Sequence, residues 1–210
     1  MKRSRHIVVM ARRPQLGRVK TRLADGLGEQ AALSFYARTL KRLLKRLDGA
    51  GRWQTVLAVT PASEAGRGGL WTRGLPNLAQ AEGDLGQRMQ AAIDAMPSGP
   101  VVLVGSDVPG LKARHIASAF RALKHDDVVL GPSDDGGYWL VGVAARSRMI
   151  RLFGPVRWSS THALEDTIAG LPGDCRVGRL EALSDIDTAD DWRRWRRSTM
   201  RGYGDSEREG

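Results

Sequence analysis

A chain of 210 residues with a single cysteine, Cys175, has room for a central sheet covered by helices and excludes an internal disulfide. The formal charge of +10 hints at nucleic acid, but the excess sits mainly at the two ends: Lys2, Arg3, Arg5, Arg12, Arg13, Arg18, Lys20 and Arg22 at one, and Trp192-Arg193-Arg194-Trp195-Arg196-Arg197 at the other. The first apolar run, Ile7 to Ala11, is shorter than a signal-peptide core or a membrane span, so a soluble, unprocessed, cytoplasmic protein is expected.

In chain order the hydrophobic pattern predicts strand 6–11, helix 29–47, strand 54–60, helix 84–96, strand 100–105, helix 111–124 and strands 127–131 and 138–143. Alternation of short β-branched runs with amphipathic segments is the signature of parallel βαβ units, hence an α/β class. The clearest helix is 29–47, where Leu33, Tyr36, Leu40, Leu43, Leu44 and Leu47 repeat at helical spacing and Arg38, Lys41, Arg42 and Lys45 take the other face. Residues 61–76 turn to Gly, Ser, Pro and Arg and read as a surface excursion. One domain is expected over 1–198. A last helix should bury Trp192 and Trp195, although the same Trp/Arg run could stack bases or grip phosphate. The polar, glycine-rich 199–210 should form a flexible tail.

Four patches and one strand end carry candidate chemistry. After the first strand, Arg12, Pro14, Gly17, Lys20 and Arg22 make a loop whose glycine and cations suit a di- or triphosphate; it also reads as a plain basic surface loop. The GxxxxGK[ST] spacing is absent, which argues against a P-loop ATPase. Gly83, Asp84 and Arg88 open the 84–96 helix, where Asp84 suits an N-cap and glycine lets a ligand approach. Asp107 follows the apolar run Val101 to Val104 and reads either as a metal ligand at the sheet's C-terminal edge or as an Asx-turn residue before Pro109.

Asp134, Asp135, Gly136, Gly137 and Tyr138 read as a hairpin turn or as a holder of an acceptor hydroxyl. In Ser184 to Trp192, Asp187 or Thr188 suits the last helix's N-cap, and Asp190 and Asp191 suit its first turn. Asp185 is not needed for that. Mg²⁺ takes one or two carboxylates plus phosphate and water, so Asp107 with an acid of this patch would suffice.

These segments together resemble a known family. Arg13-Pro14, Gly17, Val19 to Ala24, Gly83 to Met89, Gly105 to Leu111, Asp135 to Gly142, Trp158-Ser159 and Asp185 to Asp191 are similar to the bacterial GT-A-like glycosyltransferases associated with radical-SAM and arsenosugar gene sets. More distantly the layout is similar to nucleotidylyltransferases. The resemblance spans about residues 5–195. It implies a nucleotide-diphospho-sugar transferase fold, a Rossmann-like three-layer sandwich with a mixed, mainly parallel sheet. It also implies Asp107 with Asp185 or Asp187 as ligands of Mg²⁺ or Mn²⁺. Arg12, Pro14, Gly17, Lys20, Arg22, Gly83, Asp84 and Arg88 would bind the nucleotide, and Gly136, Gly137, Tyr138 and Trp158 the acceptor. Asp135 and Lys20 would be catalytic. Glycosyltransferases of this fold usually carry Asp-x-Asp where this chain has Gly105-Ser106-Asp107.

The first functional expectation is a metal-dependent transfer of a sugar from a nucleoside diphosphate sugar to a small acceptor. The second is nucleotidylyl transfer with release of pyrophosphate, in which Lys20 and Arg22 stabilise the developing charge. A third, of another class, is a nucleic-acid-binding module using the basic ends, marked by a steep salt dependence and no need for metal.

Overall fold

The computed structural model describes residues 4–48, 51–69 and 71–206, with 198–206 by backbone alone. Lys2, Arg3 and the end of the expected tail, 207–210, lie outside the described residues. No helix among those described is long and apolar enough to cross a membrane.

Runs rich in Val, Ile and Leu that carry no charge cannot stay in water, and here they form strands covered on both faces. Among the described residues they make one seven-stranded sheet in the order β3-β2-β1-β4-β6-β5-β7. The strands are β1 (His6–Arg12), β2 (Gln54–Thr60), β3 (Asn77–Ala79), β4 (Val101–Gly105), β5 (Val128–Pro132), β6 (Tyr138–Val143) and β7 (Val177–Arg179). All pairings are parallel except those of β6, which runs antiparallel to β4 and β5. The five longer strands and three of the helices match the predicted runs to within a few residues; β3 and β7, three residues each, are too short to show a period.

The helices are α1 (Thr21–Leu27), α2 (Glu29–Leu47), α3 (Leu85–Asp94), α4 (Ala113–Ala122), α5 (Ala163–Ala169) and α6 (Ala189–Ser206). On one sheet face α2 and α4 bury Leu40, Leu43, Leu44, Ile116 and Phe120 against Ile7, Val9, Val102 and Val104. On the other, α3 sets Met89, Ala92 and Ile93 against Val8, Leu103 and Val141, with Leu164 and Ile168 of α5 beside them. Alternate residues of β1 and β4 thus face opposite helical layers, which gives the three-layer sandwich.

The 61–76 stretch is not a simple surface excursion. Thr72 is fully buried, Glu64 is buried, and Trp71 and Leu75 pack against the α2 and α4 layer. Its polar composition misleads because the buried carboxylate is matched: Glu64 accepts from Arg13 at 2.7 Å and from the Trp71 indole at 3.4 Å.

A third cluster joins α1, α2 and α6 through Leu23, Ala32, Phe35 and Ile186, with Trp192 and Trp195 half-buried on it. Trp195 meets Phe35 edge-on at 5.7 Å. Helix α6 approaches α1 so closely that a Cβ on Gly26 would lie 2.5 Å from that of Ala189. This contact fixes the start of α6, and with it the acidic segment just before.

Candidate active site

β1 pairs with β2 on one side and with β4 on the other. Connections leave β1 and β4 in opposite directions, so the loops beyond their C-terminal ends part and leave a crevice, the usual binding place in an open α/β sheet. Arg12 closes one strand and Asp107 follows the other. Tyr36 of α2 ties the two ends together: its hydroxyl accepts from the Arg12 N–H at 2.9 Å, donates to the Arg12 carbonyl at 2.8 Å and lies 3.3 Å from the Ser106 hydroxyl. Burial, and then the charge of Asp107, push this phenol up to about 12. It therefore keeps its proton.

Lys20 precedes α1 with φ 50° and ψ 47°, the left-handed region that a lysine seldom occupies. Its side chain is 4% exposed, and its ammonium nitrogen lies 3.0 Å from Asp107 Oδ2 and 3.3 Å from Asp187 Oδ1. Burial disfavours the charged ammonium, but Asp107, Asp187 and Asp185 outweigh it and hold the pKa above the ordinary lysine value. Arg22 takes the second oxygen of Asp187 at 3.1 Å from a side chain that is 70% exposed.

Asp187 is available to these cations because the helix cap is made by others. Thr188 donates its N–H and its hydroxyl to Asp191 Oδ2, both at 2.7 Å, and accepts the Asp191 N–H at 3.2 Å. The open choice between Asp187 and Thr188 as cap falls to Thr188. The Ile186 N–H donates to the Asp107 carbonyl at 3.4 Å, which holds the acidic segment beside the end of β4.

Two cavities meet at this ion cluster. The first, of about 360 Å³, lies over β1 and β4 and is lined by Arg12, Arg18, Lys20 and Arg88 against Asp107. Gln80 holds Arg88 there: its amide nitrogen donates to the carbonyls of Ala58 at 2.7 Å and Ala11 at 3.3 Å, and its oxygen accepts from the Arg88 guanidinium. The second cavity, of about 580 Å³, is lined by Asp134, Asp135, Asp185, Asp187 and Asp191 with Arg22, Arg194 and Trp195. Burial, and then the charge of Asp135, raise the Asp185 carboxyl above the usual carboxylate range, Lys20 opposing.

The structure thus brings together Arg12, Lys20, Arg88 and Asp107 on one side of a seam and Arg22, Asp135, Asp185 and Asp187 on the other. Other expected residues are used differently. Arg22 faces the acidic cavity, because α1 turns it towards Asp187. Asp84 caps α3 in a capping box with Gln87, at 2.8 and 2.9 Å, and Gly83, at φ 106°, leaves the room that Gln87 needs. Pro14 and Gly17 shape the loop after β1 and line neither cavity. Gly136, at φ 84°, and Gly137, whose N–H donates to Asp135 at 2.9 Å, build the β5–β6 turn.

Tyr138 and Trp158 line neither cavity. They pack on each other at 6.5 Å within the layer of α3 and α5, since Tyr138 starts β6 with its ring on that face. Trp192 and Trp195 are held in packing. Arg193 and Arg194 pair with Asp190 and Asp191, and Arg196 lies over the Trp192 ring. Sequence reasoning missed Tyr36, Ser106 and Gln80. Tyr36 had one signal, a hydroxyl in an otherwise aliphatic stripe.

The donor set fits a hard divalent cation. Carboxylate oxygens are what Mg²⁺ and Mn²⁺ prefer, and Asp107 and Asp187 converge on one point. No group of three or more His, Cys, Asp or Glu spaced to hold a metal occurs among the described residues, but two carboxylates suffice when phosphate and water complete the shell.

Among curated proteins the chain finds no match. Solved structures do resemble it. A candidate nucleotide-diphospho-sugar transferase from Desulfovibrio desulfuricans G20 is 28% identical, covers 88% of this chain and 82% of its own, and superposes with a TM-score of 0.74. A CMP:2-keto-3-deoxy-manno-octonic acid synthetase complexed with CTP is 12% identical, with coverage of 95% and 99% and a TM-score of 0.60. Rv0371C from Mycobacterium tuberculosis H37Rv, in complex with manganese, is 16% identical, with coverage of 92% and 97% and a TM-score of 0.53. The last two share the fold alone. Together with the sheet order these likenesses assign the α/β fold of nucleotide-diphospho-sugar transferases and nucleotidyltransferases. Residues 43–160 match the family described as "Uncharacterized protein conserved in bacteria (DUF2064)", and the chain belongs to that family.

Proposed function

We propose that the chain is a metal-dependent transferase that takes a nucleotide-activated donor, and that it moves a sugar from a nucleoside diphosphate sugar to a small acceptor. The observation that carries this reading is the seam at Lys20, where a cationic cavity at the β1/β4 crevice meets an acidic one. Arg12, Arg18 and Arg88 suit the donor's phosphates, and the acidic cavity repels them, which leaves it to an uncharged or cationic acceptor. In this reading 1–198 form one transferase domain of a cytoplasmic protein, 199–210 are dispensable for activity even though 199–206 continue α6 where a flexible tail was expected, and the chain sides with the glycosyltransferases of radical-SAM and arsenosugar gene sets.

Asp107 and Asp187 would hold Mg²⁺ or Mn²⁺, with Asp185 beside them; when bound, the ion neutralises phosphate charge and helps the leaving group depart. The chain's own residues do the rest. Lys20 donates to the phosphate oxygen that gains charge as the sugar–phosphate bond breaks. Asp135, fixed by the Ser133 hydroxyl at 2.6 Å and the Gly137 N–H at 2.9 Å, lies on the acceptor side, where it takes the proton of the attacking hydroxyl.

Gly105-Ser106-Asp107 in place of Asp-x-Asp favours a second reading, nucleotidylyl transfer. There an acceptor phosphate attacks the α-phosphorus of a nucleoside triphosphate and pyrophosphate leaves. The test incubates the protein with nucleoside diphosphate sugars and nucleoside triphosphates in Mg²⁺ or Mn²⁺ and assays the products. Free nucleoside diphosphate supports the first reading and pyrophosphate the second. A thermal-shift panel runs alongside, since a ligand at about 100 times its Kd adds about 2.7 kcal/mol of stability. No shift with any nucleotide would overturn both.

A further inference from the structure

We propose that the Lys20 ammonium holds the place of a divalent cation between Asp107 and Asp187, so that metal and Lys20 exclude each other there and the metal enters as phosphate takes Lys20 over. This rests on the reading of those two carboxylates as metal-binding.

The ammonium sits 3.0 Å from Asp107 and 3.3 Å from Asp187, on one oxygen of each, and its stem is almost wholly buried. Direct coordination of Mg²⁺ needs oxygens at about 2.1 Å from one centre. The point on which these two carboxylates converge is already occupied by a nitrogen with no lone pair to offer. A second cation beside it would meet like charge at close range in a poorly solvated place. Metal bound by both carboxylates therefore requires Lys20 to leave.

Lys20 has somewhere to go. It also lines the cationic cavity with Arg12, Arg18 and Arg88, so rotation about its own four-carbon stem could carry the ammonium from the carboxylates to a phosphate without moving the backbone. The exchange improves the charge balance on both sides of the seam. The carboxylates trade a monovalent for a divalent cation, and the phosphates gain the lysine. Metal and phosphate then strengthen each other's binding by the same factor. Arg22 differs, for it holds the other oxygen of Asp187 from an exposed position and can stay.

The test titrates Mn²⁺ into the full-length protein without nucleotide and follows bound ion by loss of the free-ion EPR signal. It compares wild type, Asp107→Asn, Lys20→Met, Arg22→Met and Lys20→Met/Asp107→Asn, each checked for folding by circular dichroism, with Lys20→Gln as the replacement if Lys20→Met fails to fold. Lys20→Met should bind Mn²⁺ about tenfold or more tighter than wild type, Arg22→Met should gain no more than about threefold, as one exposed charge allows, and adding Asp107→Asn should abolish the gain. If Lys20→Met binds no tighter, or no tighter than Arg22→Met, while Asp107→Asn still weakens wild-type binding, the metal site stands and the exchange is overturned. If Asp107→Asn changes Mn²⁺ binding in neither background, the metal site itself falls and the exchange with it.

Discussion

The cavity over β1 and β4 and the cavity behind Asp187 share a wall but differ in how their charge is assembled. The first draws its cations from residues that the sequence already shows as a cluster, Arg12, Arg18 and Lys20, with Arg88 added from α3. The second gathers acids from two distant segments, 134–135 and 185–191, which meet only because β6 returns antiparallel and α6 docks on α1. A reaction that joins an anionic donor to a non-anionic acceptor needs the surfaces that bind them to adjoin, so that the reacting atoms can approach to about 3–3.5 Å. The seam supplies that without mixing them, because Lys20 neutralises the carboxylates it touches.

The strongest way to break this comparison is at the seam. Asp107→Asn should remove the metal-dependent part of nucleotide binding, because the change is nearly isosteric but takes away the anionic oxygen a hard cation requires. The change also takes the nearer counter-charge from the buried Lys20 ammonium, so the melting temperature should fall modestly while the fold persists. Calorimetric titration with and without Mg²⁺ checks the first, and a thermal melt the second. Metal-dependent affinity equal to wild type would make Asp107 a turn residue.

Trp195→Ala and Trp192→Ala probe how the acidic wall is held. Full burial would put the loss at ~3–5 kcal/mol each. Both rings are half-buried, on the α1–α2 cluster rather than on the sheet, so about 2–3 kcal/mol is expected, read as a lower midpoint in urea. A double variant of unchanged stability that lost RNA or DNA binding would revive the nucleic-acid reading.

Next come the cations that tell the cavities apart. Arg88→Ala should weaken nucleotide binding by ~1.5–3 kcal/mol, the usual worth of a charge-assisted hydrogen bond. Arg22→Ala should leave nucleotide affinity nearly unchanged and raise the acceptor KM instead. Equal losses of nucleotide affinity would erase the distinction between the two sides.

A smaller effect concerns the frame. Asp127 accepts from Ser147 at 2.7 Å and pairs with Arg146 at 2.9 Å, and these bonds, led by Ser147 and the Arg176 N–H, hold its carboxyl at about 2. A carboxylate whose pKa falls on folding stabilises the protein above its unfolded value of about 3.9 and stops doing so as pH drops towards 2. Wild type should therefore lose more stability than Asp127→Asn between about pH 4 and 2, seen in paired urea titrations. Parallel curves would contradict the assignment. Smallest of all, deleting 199–210 should leave nucleotide binding as it is. The deletion takes only the last turns of α6, beyond Trp192 and Trp195, which anchor that helix on the α1–α2 cluster.

Much of the frame was legible. Periodicity located α2 through Leu40, Leu43, Leu44 and Leu47, and the uncharged runs located β1 and β4, because burial on two faces leaves no room for a polar residue. It did not reveal that β6 is antiparallel, since a strand's side chains alternate in the same way whichever direction it runs. For the site, Asp107 was legible because it ends an apolar run. The competing jobs of Asp187 and Thr188 were not, because either can cap a helix and only the position of Lys20 assigns one of them elsewhere.

The sequence by itself thus determined the α/β layering and the strand-end location of the chemistry, through hydrophobic period and the residues that stop it. Tertiary structure alone decided the pairing of Lys20 with Asp107 and Asp187, since residues separated by |i−j| of 167 meet through packing at Gly26 and Ala189 rather than through any local preference. The same packing turned Arg22 away from the cationic cavity and committed Asp84 to its helix. Local physics favours several roles for a charged residue, and the neighbour that folding brings within 3 or 4 Å selects among them.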